Sequence, residues 1–332
     1  MNSPIECISK CIHSTRVTRN DTMSDFFRRF FRKCGDETLD SDTPKTEKDS
    51  IVISDLVVRY GDFTAVDGIS LTIPCEGIYG FLGPNGAGKT STIRTIATLL
   101  KPSSGTISID GLDVIRDTQE VRKRIGIVQQ HISLDKEISV RENLVCHAML
   151  HKVPKNEIDS RMKELCDVLG LDRYLDKLIL DLSGGWRRRA AIACALMHRP
   201  SILFLDEPTA GLDTQSRHIL WDILRELKKS GTTIFLTTHY MDEAESLCDR
   251  IAIIDSGRVI AEGTPKELNN LVGKVAVDYE LDGRMTTQTF ASRDMAKVFI
   301  DSNLSANDTY TLRKTSLEDV FLELTGNKIG DS

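Results

Sequence analysis

Gly77-Ile78-Tyr79-Gly80-Phe81-Leu82-Gly83-Pro84-Asn85-Gly86-Ala87-Gly88-Lys89-Thr90-Ser91-Thr92-Ile93-Arg94-Thr95-Ile96 places three local structures end to end. Its first six residues read as a buried strand, and the segment from Thr92 reads as helical. Between them lies the pattern GxxxxGK[ST], from Gly83 to Thr90, with Ser91 next. Glycines there let the backbone wrap closely around a triphosphate, so that successive N–H groups and a helix N-terminus point at it. Gly83, Pro84, Asn85, Gly86, Ala87 and Gly88 are the expected cradle. Lys89 supplies a point charge for the β and γ phosphates, and Thr90, beside Ser91, places a hydroxyl for Mg²⁺. A glycine-rich turn without a ligand would not need both a strand before it and a helix after it.

Outward from this loop, Ser201-Ile202-Leu203-Phe204-Leu205-Asp206-Glu207 reads as a second buried strand that ends in two carboxylates. Asp206 suits the water shell of Mg²⁺, and Glu207 is placed to polarise an attacking water. Strands ending in acids are common, so this motif gains its meaning from the first. A third strand, Thr233 to Thr238, delivers His239 at its end, where a phosphate sensor belongs. The interval from Lys89 to Asp206 is long enough to hold an inserted helical subdomain. Within it, Leu182-Ser183-Gly184-Gly185-Trp186 is a polar-glycine turn before an expected helix from Arg187 to Met197. That is a second helix N-terminus fit for an anion. Two such ends in one chain suggest a head-to-tail dimer with each nucleotide sandwiched between subunits.

LSGGW at 182–186, Asp206-Glu207-Pro208-Thr209 and Ala210-Gly211-Leu212-Asp213 stand in an order and spacing that resemble ABC transporter ATPases over roughly residues 51 to 326. The resemblance implies an α/β P-loop NTPase fold: an ABC-type RecA-like core with an antiparallel β subdomain, an inserted α-helical subdomain, and a small α+β C-terminal extension. The corresponding boundaries are 51–262 for the ATPase domain, about 131–190 for the helical insert, and 263–332 for the extension. By the same resemblance Tyr60 stacks on adenine, Gln130 reaches both Mg²⁺ and the membrane partner, and His239 senses the γ-phosphate. Gln129 stands next to Gln130, and counting from Gly126 favours Gln130. Ser183, Gly184, Gly185 and Asp213 are implied to complete the nucleotide site, with Thr90, Gln130 and Asp206 around the metal and Lys89, Glu207 and His239 serving hydrolysis. The sequence departs from the family at Trp186, where glutamine is usual. Since Ser183 Oγ and the N–H groups of Gly184 and Gly185 are the expected phosphate contacts, the departure bears on interface geometry rather than on binding as such.

Gly184 to Arg189 and Ser316-Leu317-Glu318-Asp319-Val320-Phe321-Leu322-Glu323-Leu324-Thr325-Gly326 are similar to the drug-exporter-like branch, typified by daunorubicin exporter ATPases. The second stretch reads as an amphipathic helix with Leu317, Val320, Phe321 and Leu324 on one face, whose simplest role is to pack the extension. The resemblance implies ATP hydrolysis with Mg²⁺, export through separately encoded permease subunits, a second ATPase subunit, and a peripheral place on the cytoplasmic face of the cell membrane. Two other classes compete. Mechanoenzymes acting on nucleic acids or ribosomes usually carry two cassettes or a long coiled-coil insert, and neither is here. A nucleotide-regulated adaptor that does not hydrolyse ATP would not need the full set of Lys89, Asp206, Glu207 and His239.

Composition agrees with a cytosolic-facing motor. The 332 residues carry 49 acidic and 43 basic side chains, so no global basic field exists to hold a nucleic acid, and no nucleic-acid partner is expected. Arg187-Arg188-Arg189, at the head of a helix, reads as a solvated face or an intersubunit contact. The eight cysteines form no CxxC pair and read as reduced, mostly buried thiols. Cys7, Cys11 and His13, or His147 and His151 at helical spacing, fall short of four metal ligands. The longest apolar run, Ala190 to Met197, is far too short to cross a bilayer. Residues 1–50 read as mostly disordered around a short amphipathic helix at about 24–34. There Phe26, Phe27, Phe30 and Phe31 oppose Arg28, Arg29, Arg32 and Lys33. That island suits a membrane surface and a partner helix alike, and Met23 stands as an alternative initiator.

Overall fold

A computed structural model describes residues 49–281, 284–304 and 308–326, so the Phe26–Phe31 island lies outside the described residues. Two sheets frame the nucleotide loop. The first is antiparallel, in the order β2-β1-β4-β5, from β1 (Asp49–Tyr60), β2 (Phe63–Pro74), β4 (Ser104–Ile109) and β5 (Leu112–Asp113). The second joins β3 (Ile78–Leu82), β6 (Ile125–Val128), β7 (Ile202–Asp206), β8 (Thr233–Thr238), β9 (Arg250–Asp255) and β10 (Arg258–Gly263) in the order β10-β9-β3-β8-β7-β6. Every pairing in it is parallel except β9 with β10. β3, β7 and β8 are buried at every residue, which is why they read as unbroken apolar runs: a parallel sheet covered on both faces leaves no side for water.

Alternation along these strands builds two cores back to back. Ile78, Leu82, Leu203, Leu205, Ile234 and Leu236 face the helices, whereas Tyr79, Phe81, Phe204 and Phe235 face the antiparallel sheet. Phe235 is the hub of the second face, with ring centroids 5.8 Å from Tyr79, 5.7 Å from Phe81 and 5.9 Å from Phe204.

Helices α1 (Lys89–Ile96) and α2 (Thr118–Arg124) follow the first loop and the β5 turn. The insert is built from α3 (Val140–Leu150), α4 (Lys155–Leu169) and α5 (Gly184–Leu196). α3 starts on a reciprocal Ser139–Glu142 capping box, and α4 ends on Gly170 in the left-handed region. α5 begins at Gly184 rather than at the expected Arg187, so the glycines of the LSGGW turn form its first helical turn. The run from Ala190 through the C-cap residue Met197 is wholly buried where the insert meets the sheet.

Helices α6 (Thr214–Lys229) and α7 (Met241–Leu247) follow β7 and β8. The C-terminal part adds α8 (Pro265–Val272) and a three-stranded antiparallel sheet in the order β12-β11-β13. Its strands are β11 (Val275–Leu281), β12 (Arg284–Phe290) and β13 (Tyr310–Lys314). α9 (Arg293–Asn303) covers one face through Ala296 and Ile300 against Val277 and Tyr279. α10 (Leu317–Thr325) returns to the main core, burying Leu317, Val320 and Phe321 beside Leu268 of α8. Leu324, expected on that apolar face, is instead 41% exposed, because α10 passes beyond the surface it packs on. Arg313 ties the C-terminal sheet to α10: its guanidinium donates to Asp278 on β11 at 2.6 Å and to Asp319 on α10 at 2.7 Å. Asp319 is buried, so this charge-assisted fork contributes on the order of 2 kcal/mol.

Candidate functional site: the loop after β3 and the carboxylates after β7

The loop from Gly83 to Gly88 leaves β3 under close backbone contact. A Cβ on Gly83 would stand 2.3 Å from Ile254 O, and one on Gly88, where φ is +103°, would stand 2.4 Å from Ala65 O. Neither position admits a side chain, because backbone atoms cannot give way. Pro84, Asn85 and Gly86 form the outer rim, with Asn85 and Gly86 exposed, while Ala87 is buried. Lys89 is buried, and its Nζ donates to Gly83 O at 2.7 Å and Pro84 O at 3.0 Å, curling back through the loop that precedes it. Tyr60, 47% exposed at the end of β1, brings its hydroxyl within 3.3 Å of Ser91 Oγ.

Strand β7 ends beside this loop. Asp206 Oδ1 accepts from Thr237 Oγ1 at 2.6 Å and from Thr90 Oγ1 at 3.4 Å, so the two strands and α1 meet at one carboxylate. The next residue, Glu207, turns sharply. Its φ is +46°, a left-handed conformation costly for a side chain with a Cβ, and its N–H is held by Thr237 O and Thr237 Oγ1, each at 3.1 Å. The turn aims a buried carboxylate at three groups from three elements. Lys89 Nζ lies 3.4 Å and His239 Nδ1 3.2 Å from Glu207 Oε1, and Gln130 Nε2 donates to Oε2 at 3.1 Å. The His239 approach is close but lacks hydrogen-bond alignment. Burial pulls the Lys89 pKa down, against the opposing pull of Glu207 and Asp206.

Gln130 rather than Gln129 makes the side-chain contact; Gln129 contributes its carbonyl. That carbonyl and the carbonyl of Gln130 accept from Arg188 Nη1 at 2.7 Å and Nη2 at 3.1 Å. Arg188 is 4% exposed, which corrects the reading of the arginine triple as a solvated face. Starting α5 at Gly184 turns this residue inward.

A model of the family described as ABC transporter matches residues 66–210. The daunorubicin/doxorubicin resistance ATP-binding protein DrrA of Streptomyces peucetius is 40% identical over 310 residues, covering 85% of this chain and 94% of that protein. The chain belongs to the ABC transporter family. It is of the exporter ATP-binding subunit type, an ATPase coupled to transport. It is also similar to the Nod factor export ATP-binding protein I of Sinorhizobium fredii, 37% identical across 90% of this chain and 93% of that one. Among solved structures, cbiO1 from Clostridium perfringens, part of the ABC transporter complex cbiONQ, matches with a TM-score of 0.62. It is 34% identical over 67% of this chain and 91% of that chain. A dimeric post-hydrolysis cassette bound to ADP and Pi matches with a TM-score of 0.59 at 26% identity, over 64% of this chain and 98% of that chain. No helix among the described residues is long and apolar enough to cross a membrane.

Against this ABC frame, the remaining motif residues stand apart from the Lys89–Glu207 cluster. Ser183 is the N-cap of α5 but makes no side-chain cap bond, and with Gly184 it faces solvent. Asp213 caps α6, accepting from Ser216 N at 2.9 Å and Ser216 Oγ at 2.7 Å. In the single chain it is therefore a helix cap. Trp186 folds back onto the insert, its ring 4.2 Å from that of Tyr174 and under the Arg189 guanidinium at 4.2 Å. The side chain that departs from the family motif thus packs on its own subunit.

A groove of about 360 Å³ opens behind Gln129, between β6, α3 and α5. It is lined by His147, His151 and His198, and only the first two share a spacing that sequence can show. His151 and His198 stack at 3.7 Å, and His198 Nε2 lies 2.9 Å from Ile125 O. Burial first, then the His151, His147 and Arg161 charges, push His198 down from its ordinary 6.5 to about 4. The unfolded chain therefore binds more protons at this residue as pH falls below about 6.5, so stability is fully present above that value and drains away toward about 4. Urea unfolding midpoints followed from neutral pH down to about 4 should fall across that window, and His198→Gln should flatten the slope. An unchanged slope would mean that other groups set the acid limit.

Proposed function

We propose that this ABC subunit closes as a head-to-tail pair over two ATP molecules and, through that cycle, drives a separately encoded membrane permease in export. The observation that carries the reading is the convergence of Lys89, Gln130 and His239 on the single Glu207 carboxylate, from the loop after β3, the segment after β6 and the end of β8. In the nucleotide-free chain, Glu207 holds the place of negative charge that a γ-phosphate would bring. When a triphosphate enters the Gly83–Thr90 cradle, Lys89 turns from Glu207 and the Gly83 and Pro84 carbonyls toward the phosphate. Glu207 is then released to orient and polarise a water, taking its proton as oxygen attacks the γ-phosphorus and the bond to the ADP oxygen breaks. His239 and Gln130 hold the geometry of the attack, and Tyr60 offers an exposed aromatic face to the base.

The donor set fits Mg²⁺: Thr90 Oγ1 and Asp206 Oδ1 lie 3.4 Å apart, both hard oxygens, with Thr237 fixing the carboxylate. When bound, the ion neutralises charge on the β and γ phosphates. Ser183 and Gly184, exposed at the start of α5, supply with Gly185 the anion-binding helix end for the nucleotide of the other subunit. Differential affinity of the open and closed pair for ATP is what moves the permease. The peripheral, cytoplasmic-side location and the partner set follow from that role.

Recovery of the tagged full chain from detergent-solubilised membranes of its own organism tests the reading. An integral membrane protein is expected in comparable amount. Recovery with ribosomes or nucleic acid, and no membrane protein, would favour the mechanoenzyme class instead.

A further inference from the structure

Arg188 is the fifth residue of α5, one turn beyond the Ser183–Gly185 helix end, and its charge is buried inside the protein. Its Nη1 donates to Gln129 O at 2.7 Å, and its Nη2 to Gln130 O at 3.1 Å and, more weakly, to Glu207 O at 3.5 Å. Burial lowers its pKa, while Asp206 and Glu243, both buried, oppose that shift. One guanidinium thus holds the backbone on either side of Gln130 and the backbone of the residue that Gln130 touches. A planar fork can serve consecutive carbonyls only while their peptide planes keep one orientation relative to α5. The rotational setting of α5 and the path of the Gln129–Gln130 segment are therefore locked to each other.

This lock joins two ends that serve different nucleotides under the two-site reading proposed above, on which the inference rests. Gln130 and Glu207 belong to the site of Lys89 in the same subunit. The Ser183–Gly185 turn, exposed at Ser183 and Gly184, serves on that reading the nucleotide held by the neighbour. We propose that Arg188 is a positioning residue that carries the state of one ATP site to the other: occupation of the Lys89 site shifts the Gln130 segment, and Arg188 passes the shift to the helix end that closes on the second nucleotide. The physical path is short and continuous, from Glu207 Oε2 through Gln130 to the guanidinium and one helical turn to Gly184. Trp186, stacked on Tyr174 and under Arg189, makes that turn move with the insert as one body.

A purely structural role would require only a buried positive charge, so Arg188→Lys separates the two. It keeps the charge facing Asp206 and Glu243 but cannot fork between two carbonyls. The full chain, wild type and Arg188→Lys, is compared in three measurements: ATP affinity at equilibrium, steady-state hydrolysis against ATP concentration, and thermal unfolding. Wild type is expected to show a Hill coefficient well above 1, bounded by about 2 for two sites. Arg188→Lys is expected to fold, to bind ATP within about twofold of wild type, to lose about tenfold in kcat, and to fall to a Hill coefficient near 1. Arg188→Met should match it in kinetics and melt lower, since it also removes the charge.

A lysine variant with wild-type kcat and cooperativity would overturn the proposal while leaving the dimer intact. A wild-type chain with a Hill coefficient of 1, together with a Glu207→Gln chain that stays monomeric in ATP by light scattering, would overturn the two-site reading and the proposal with it. Loss of kcat with undiminished cooperativity would also overturn it, because Arg188 would then act within one site alone.

Discussion

Glu207→Gln is expected to reduce steady-state ATP hydrolysis by about 10²- to 10⁴-fold, the range set by removal of a positioned general base, while ATP remains bound and the chain accumulates as a closed dimer. The substitution is nearly isosteric, and Gln130, which donates from Nε2 to the Glu207 Oε2 position, keeps a hydrogen bond to the new amide nitrogen by turning its own amide so that its oxygen accepts. Glu207 holds its left-handed backbone through N–H bonds to Thr237 O and Oγ1, and these do not depend on the side chain. The amide oxygen can still face Lys89 from the Oε1 position, 3.4 Å away. What disappears is the capacity to take a proton from water. Binding energy that normally closes the pair is then never released by bond cleavage, so the closed state persists. Size-exclusion chromatography with light scattering, with and without ATP and Mg²⁺, reads this directly. Hydrolysis at the native rate would remove Glu207 from the role proposed for it, whatever the oligomeric state.

The parts of this molecule legible in sequence are those written in consecutive residues. The loop from Gly83 to Ser91 is such a part, because strand, phosphate cradle and helix are covalently adjacent. β3, β7 and β8 are others, since a strand buried on both faces must be apolar throughout. What resisted reading depends on helix phase or on distant partners. Arg187, Arg188 and Arg189 are chemically identical, and only the true start of α5 at Gly184 determines that the middle one points inward at the Gln129 and Gln130 carbonyls. Asp213 fits a nucleotide motif by sequence, yet in the single chain its carboxylate is engaged in capping α6. His198 joins His147 and His151 only because α5 crosses behind α3, a packing relation that no spacing records. Trp186 is the converse case: sequence marks it as unusual, but its turn back onto Tyr174 depends on the 3₁₀ segment Asp172–Tyr174 lying alongside α5. The antiparallel sheet of β1, β2, β4 and β5 was implied by resemblance rather than by pattern, as its strands are half-exposed and irregular, with register shifts along β1.

Lys89→Met is expected to abolish ATP-dependent stabilisation of the chain as well as its hydrolysis. The unbranched methionine stem fills the buried channel that the lysine occupies, so the cradle keeps its shape, and the loss falls on the ammonium. Two effects then oppose each other in the free protein. Removing Nζ leaves the Gly83 and Pro84 carbonyls and the Glu207 carboxylate without their donor, a cost of about 1–3 kcal/mol. Against this, an ammonium held in a buried place no longer has to be desolvated, the burden that lowers the Lys89 pKa in the first place. A modest change in melting temperature without nucleotide is the expected net result. With nucleotide there is no such cancellation, because the triphosphate brings its charge to the place where the ammonium stood and meets there apolar atoms, the Gly83 and Pro84 carbonyls and the Glu207 carboxylate, none of which attracts it. A ligand present at 100 times its dissociation constant stabilises by about 2.7 kcal/mol, and a hundredfold loss of affinity reduces that to about 0.4 kcal/mol. Thermal unfolding with and without saturating ATP therefore separates the roles: wild type should melt several degrees higher with ATP, and Lys89→Met should not move. An equal upward shift in both would show that the triphosphate is held without the ammonium, by the backbone cradle and the end of α1 alone.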